Sequence, residues 1–123
     1  MQEEQGNRDM DLEEIWKAIV AFQGYSFETA KGLKFSYTVR GKEIFFDRKE
    51  KSITFSTVAA AYQKVLEMDE GTGIPIAVPG PKKLGCFGAS YLYPVFIRIG
   101  VIREPRQGEN VKETMRRKEM DGK

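Results

Sequence analysis

Residues 35–66 read FSYTVRGKEIFFDRKEKSITFSTVAAAYQKVL, and this stretch decides the fold. Phe35, Tyr37 and Val39 alternate with Ser36, Thr38 and Arg40. After Gly41-Lys42, Ile44 and Phe46 alternate with Glu43, Phe45 and Asp47. A two-residue loop led by glycine is a hairpin signal, because glycine takes the positive φ that matches strand twist. The loop then sets Arg40 opposite Glu43, Val39 opposite Ile44 and Tyr37 opposite Phe46, and opposed residues share a face. Two alternations agree on this register, and a slip of one residue would destroy the agreement. One face carries Phe35, Tyr37, Val39, Ile44 and Phe46. Phe45 is apolar on the other, polar face, so that face calls for a cover: the later loop, a second subunit in a homo-oligomer, or a ligand.

Downstream of the hairpin, Ser52 or Thr54 can cap a second helix. Its buried face is Val58, Ala61, Tyr62, Val65 and Leu66, kept slim by Ala59-Ala60-Ala61. Upstream, Asp11 with Glu14 three residues on forms a capping box. Leu12, Ile15, Trp16, Ile19 and Val20 then fall on one helical stripe, stopped by Gly24. Between helix and hairpin, Tyr25, Phe27 and Thr29 alternate with Ser26, Glu28 and Ala30, and Lys31-Gly32 supplies a turn. The spacing predicts a first strand there, extending the hairpin to a three-stranded meander.

Residues 69–88 hold three of the five prolines and five of the twelve glycines. The interleaved Ile, Val, Leu and Phe predict an ordered, packed loop, with Ile74–Val78 as a short edge strand beside Pro75. A third helix follows over Ser90–Ile99 with Leu92, Val95, Phe96 and Ile99 as its stripe. Pro94 fits best in a first turn, which would start that helix at Pro94. Val101-Ile102 complete the core. The fold class is therefore small α+β, an antiparallel three-stranded meander packed with two to three helices. Residues 1–10 read as a disordered acidic lead-in, 11–102 as one globular domain and 103–123 as a charged flexible tail.

Composition limits the chemistry. The chain has no histidine, which removes Cys-His and Ser-His-Asp catalysis and His-containing zinc sites, and leaves carboxylate-held Mg²⁺ as the metal option. One cysteine excludes an internal disulfide. No apolar run approaches the ~20 residues of a membrane span, and the acidic start is unlike a secretory signal. These features predict a cytoplasmic protein without a membrane or cofactor partner.

Charge is unevenly spread. Residues 1–14 carry six acids and one base, whereas residues 31–51 carry seven bases (Lys31, Lys34, Arg40, Lys42, Arg48, Lys49, Lys51) against three acids. Such a run is an electrostatic footprint for nucleic acid, and equally a device that keeps an edge hairpin soluble. Lys82, Lys83 and the following helix start at Ser90 form a weaker candidate for anion binding.

Four phrases resemble known families. Ser52–Val58, SITFSTV, resembles the opening of a recognition helix in helix-turn-helix regulators, which would set Ser56 and Thr57 near phosphates and base edges. An amphipathic helix before the turn is missing. The order helix–strand–strand–strand–helix over Asp11–Met68 is similar to the double-stranded-RNA-binding domain, but that family's glycine and lysine run before the second helix is replaced by Lys49-Glu50-Lys51-Ser52. Asp47-Arg48-Lys49 after Ile44-Phe45-Phe46 looks like the acid-x-lysine phrase of restriction-type nucleases, but no Asp lies between Asp11 and Asp47 to supply the first metal carboxylate. Gly85-Cys86-Phe87-Gly88 has the GxxG spacing that KH modules use against nucleic-acid backbones, and is expected not to lie between two helices. Cys86 beside the lysines is either a reactive thiol or a small buried residue.

Two functions of different class follow. One is a non-enzymatic, regulatory nucleic-acid-binding module using the basic hairpin and the following helix start. The other is a protein-interaction or inhibitor module binding through the hairpin face or the Gly/Pro-rich loop.

Overall fold

The computed structural model describes residues 10–48 and 52–109. The expectations for residues 1–9 and 110–123, and for Lys49 and Lys51, lie outside these.

Helix α1 (Leu12–Ala21) opens on the expected capping box. The Glu14 N–H donates to Asp11 Oδ1 and the Asp11 N–H to Glu14 Oε1, both at 3.0 Å, which satisfies two amides at a helix start. Ile15, Trp16 and Ile19 are buried, but Val20 is 38% exposed at the edge of the stripe.

The hairpin forms in the expected register. Strand β3 (Tyr37–Arg40) pairs with β4 (Glu43–Phe46) through Tyr37–Phe46, Val39–Ile44 and Arg40–Glu43. The third strand of this antiparallel sheet is β5 (Ser52–Thr54), which pairs Ile53 with Ile44 on the outer edge of β4. The predicted first strand is shorter, β1 (Phe27–Glu28), and pairs with β2 (Lys34–Phe35) in a separate two-stranded sheet. The break between β2 and β3 is at Ser36, whose N–H and hydroxyl both donate to the Asp47 carboxylate, at 3.0 and 3.2 Å. The two sheets still run on as one surface. Gly24 N–H donates to the Tyr37 carbonyl and the Val39 N–H to Gln23 Oε1, so the chain from Gln23 to Glu28 lies antiparallel along residues 34–39.

Thr54 caps helix α2 (Phe55–Glu67), which buries Val58, Ala61, Tyr62 and Val65. The following loop is ordered, as its apolar content predicts. The Asp69 carboxylate accepts the N–H groups of Gly71, Thr72 and Gly73 within 3.2 Å. Strand β6 (Ile76–Ala77) then pairs in parallel with β7 (Ile102–Arg103). Helix α3 (Ala89–Ile99) starts five residues ahead of Pro94, which therefore sits in its interior. A proline gives no N–H to the carbonyl four residues back; that residue is Ser90, and it is exposed, so water can serve its carbonyl.

The core lies where the apolar hairpin face meets all three helices. Phe27 stacks on Phe35 and Tyr37, and Tyr91 of α3 lies 4.9 Å, centroid to centroid, from both Phe35 and Phe46. Tyr37 donates its hydroxyl to the Ile19 carbonyl at 2.6 Å, and Tyr93 donates to the Val78 carbonyl at 2.6 Å, so each buried phenol is satisfied. Burial, with the Glu104 charge as a smaller cause, pushes the Tyr93 hydroxyl up to about 12. Phe45 is half-buried under the Arg40 guanidinium, 5.0 Å from its ring centroid, so a neighbour on its own sheet supplies part of its cover.

Beyond β7, Arg103 holds Glu109 in a bidentate bridge at 2.8 and 2.9 Å, and the Arg106 N–H adds a third bond at 2.7 Å. The Arg103 hydrogen bonds, followed by that of Arg106, lower the Glu109 carboxyl from its ordinary 4.5 to about 2. A depressed folded-state pKa means that the bridge stabilises this segment fully above about pH 4.5 and is lost as pH falls towards 2. A carboxyl-carbon NMR titration is expected to place the Glu109 midpoint near 2, and Arg103→Ala to return it towards 4.5. A midpoint near 4.5 in the unmodified protein would show that the bridge does not form in solution.

Candidate binding groove

Two turns far apart in sequence face each other. The first, residues 29–33, closes on the buried Thr29. Its N–H donates to the Leu33 carbonyl at 2.9 Å and its Oγ1 accepts the Leu33 N–H at 3.1 Å. This tight closure directs Lys31 and Leu33 outwards, and Leu33 is 42% exposed. The second is built from a four-residue 3-10 turn, Pro81–Leu84, followed by Gly85–Gly88 and the start of α3. Leu84 is buried and anchors it. Gly85 and Gly88 both have left-handed backbones (φ 65° and 76°), which lets the chain reverse twice within four residues. Gly85-Cys86-Phe87-Gly88 therefore does lie between two helical elements, contrary to the expectation from sequence. The four-residue 3-10 turn has too little length to show a helical period.

Between these turns lies an open groove of about 830 Å³. Its walls include Lys31 and Leu33 on one side, and Lys82, Phe87 and Ser90 on the other. No Asp or Glu lines it. Glu28, just ahead of the first wall, is 4.0 Å from Lys34, and both are largely exposed, so that pair holds little energy. A further lysine reaches the groove edge from α2: a Cβ on Gly85 would stand 2.8 Å from Lys64 Cε. Phe87 is 62% exposed. Cys86 is half-buried in the same wall, and burial pushes its thiol up from the ordinary value, which keeps it protonated and disfavours the reactive reading.

The candidate residues thus separate into groups. Lys31, Lys82 and Ser90 meet at the groove, with Lys34 on the adjoining strand and Lys83 in the same 3-10 turn. Arg40 and Lys42 sit at the hairpin tip beside the α2 start, where the Phe55 N–H donates to the Lys42 carbonyl at 2.8 Å. Ser56 and Thr57 belong to this second corner. Its cations are held on rings: Arg40 over Phe45, and Lys42 at 4.3 Å from Phe55 and 5.9 Å from Trp16. Arg48, past the end of β4, is half-buried, and its Nε is buried without a hydrogen bond.

Asp47, the acid of the nuclease-like phrase, is engaged by the Ser36 N–H and hydroxyl. Among the described residues no three metal-ligating side chains gather, and no helix is long and apolar enough to cross a membrane. The helix-turn-helix resemblance ends at α2, because β4 and β5 precede it where a first helix is required. Sequence reasoning missed Lys64, Leu33 and Phe87. Each belongs to an element read correctly or nearly so, but its place beside the groove depends on long-range packing. No family model matches the chain, and neither does any curated protein or solved structure.

Proposed function

We propose that the protein is a non-enzymatic nucleic-acid-binding module whose main contact surface is this groove, with the hairpin tip as a secondary contact. The carrying observation is the meeting of Lys31 and Lys82, from separate stretches of chain, in one concave lining that contains no acid, with Lys64 packed against Gly85 of the same wall. Lysines so placed attract phosphates and repel nothing on the nucleic acid, and binding through them releases counterions. With three phosphate contacts to a single strand, the plot of log affinity against log salt has an expected slope of about −2. Fluorescence anisotropy with labelled DNA and RNA oligonucleotides, between about 50 and 200 mM salt, measures it. Absence of binding to every oligonucleotide at the lowest salt overturns the proposal.

The exposed Leu33 and Phe87 favour a second reading, in which the Gly/Pro-rich segment docks a protein partner. That reading predicts an affinity carried by apolar burial and nearly independent of salt.

A further inference from the structure

We infer that the groove takes single-stranded nucleic acid, with an unpaired base stacked on Phe87; this rests on the nucleic-acid reading above and names its substrate. Among the described large hydrophobic residues outside the core, Phe87 is the most exposed, at 62%, and it lines the same groove as Lys31 and Lys82. The turn is held at both ends. The Ala89 N–H returns to the Cys86 carbonyl, the Leu92 N–H to that of Gly88, and Gly88 packs against the buried Ile53. An aromatic side chain carried on a main chain held in this way is a stacking platform whose backbone costs little to order.

A duplex presents base edges in its grooves and hides the base faces inside the stack. Stacking of a base on a ring in a concave wall therefore requires that the base be unpaired. The volume agrees. About 830 Å³ of open groove is room for one or two nucleotides. Lys31 and Lys82 flank this volume at positions suited to the phosphates on either side of the stacked base, and Leu33 gives the opposite wall an apolar surface.

An acidic peptide with an apolar anchor would share the lysines, but its anchor needs only apolar area at position 87. A base needs a ring. Phe87→Leu and Phe87→Trp separate the two, and the side chain is exposed enough that neither variant perturbs the core. Anisotropy at low salt would compare a labelled oligothymidylate of about 12 nucleotides, its duplex, and a labelled polyglutamate peptide. The single strand is expected to bind at least tenfold more tightly than the duplex, Phe87→Leu to lose roughly tenfold or more on it, and Phe87→Trp to retain affinity with indole quenching on binding.

Equal affinity for duplex and single strand, or an unchanged Phe87→Leu, overturns the inference while salt-dependent binding keeps the nucleic-acid reading. Tighter binding of polyglutamate than of either oligonucleotide overturns the inference in favour of a protein partner. Failure of both oligonucleotides to bind overturns the nucleic-acid reading itself.

Discussion

Gly88→Ala is expected to destabilise the protein by about 3 kcal/mol, and Gly85→Ala by only about 1 kcal/mol, although the two glycines belong to one turn. Both have positive φ, so each substitution carries a left-handed backbone penalty of about 1 kcal/mol. They differ in what the new methyl meets. At Gly88 it would stand 2.8 Å from Ile53 Cγ2, and Ile53 is 3% exposed and locked in β5 by pairing with Ile44. A wall of this kind does not move aside, and overpacking of a filled core costs a further ~1–3 kcal/mol. At Gly85 the obstacle is the outer end of the Lys64 side chain, which rotates away into solvent. Urea unfolding of the two variants, with equal m-values, would measure the difference. Coincident midpoints would mean that Ile53 yields, and that β5 is not fixed against the turn.

The hairpin register was legible because two independent alternations meet at Gly41-Lys42, and only one pairing satisfies both. The three-stranded meander was legible too, but not which segment completes it. Ser52–Thr54 is three residues long and runs straight into a helix, so it has no period of its own. It is a strand because β4 has a second edge to offer. The break at Ser36 is likewise invisible in the pattern, since Phe35 and Tyr37 stay on the buried face across it. What interrupts the ladder is the Asp47 carboxylate, eleven residues away. The parallel pairing of Ile76 with Ile102 joins two-residue strands that carry no signal when taken singly. Pro94 misled for a local reason: a proline is tolerated inside α3 because Ser90, whose carbonyl it leaves unserved, is an exposed residue.

The groove was harder to foresee than the fold. Counting charge along the chain drew attention to residues 31–51 as one basic run, but the β2–β3 segment divides that run in space. Lys31 goes with the turn at one end, and Arg40 and Lys42 go with the hairpin tip at the other. Lys82 and Ser90 come to face Lys31 because Tyr91 of α3 packs between Phe35 and Phe46. That contact is between residues more than forty positions apart, and no spacing rule reaches so far. The glycine spacing of Gly85–Gly88 was visible; its setting between helical elements depended on a 3-10 turn that sequence periodicity cannot register.

Which of the two basic corners binds is decided by charge reversal. Lys31→Glu with Lys82→Glu is expected to lower affinity for a single-stranded oligonucleotide by about two orders of magnitude at low salt, and to flatten the salt slope from about −2 to about −0.7. Each lysine that leaves the interface removes about 0.7 from the slope, and each glutamate adds repulsion against the phosphate it replaces. Both side chains are exposed, so the fold should melt unchanged. The matching pair at the hairpin tip, Arg40→Glu with Lys42→Glu, is expected to cost only about threefold and to leave the slope nearly as it was. Its cations already rest on Phe45 and Phe55, and freeing them for a phosphate forfeits those ring contacts, worth about 0.5–1 kcal/mol each at exposed sites. A larger loss from the tip pair than from the groove pair would move the interface to the hairpin and the α2 start, where Ser56 and Thr57 lie. Unaltered affinity in both double variants would remove lysine–phosphate contact as the source of binding.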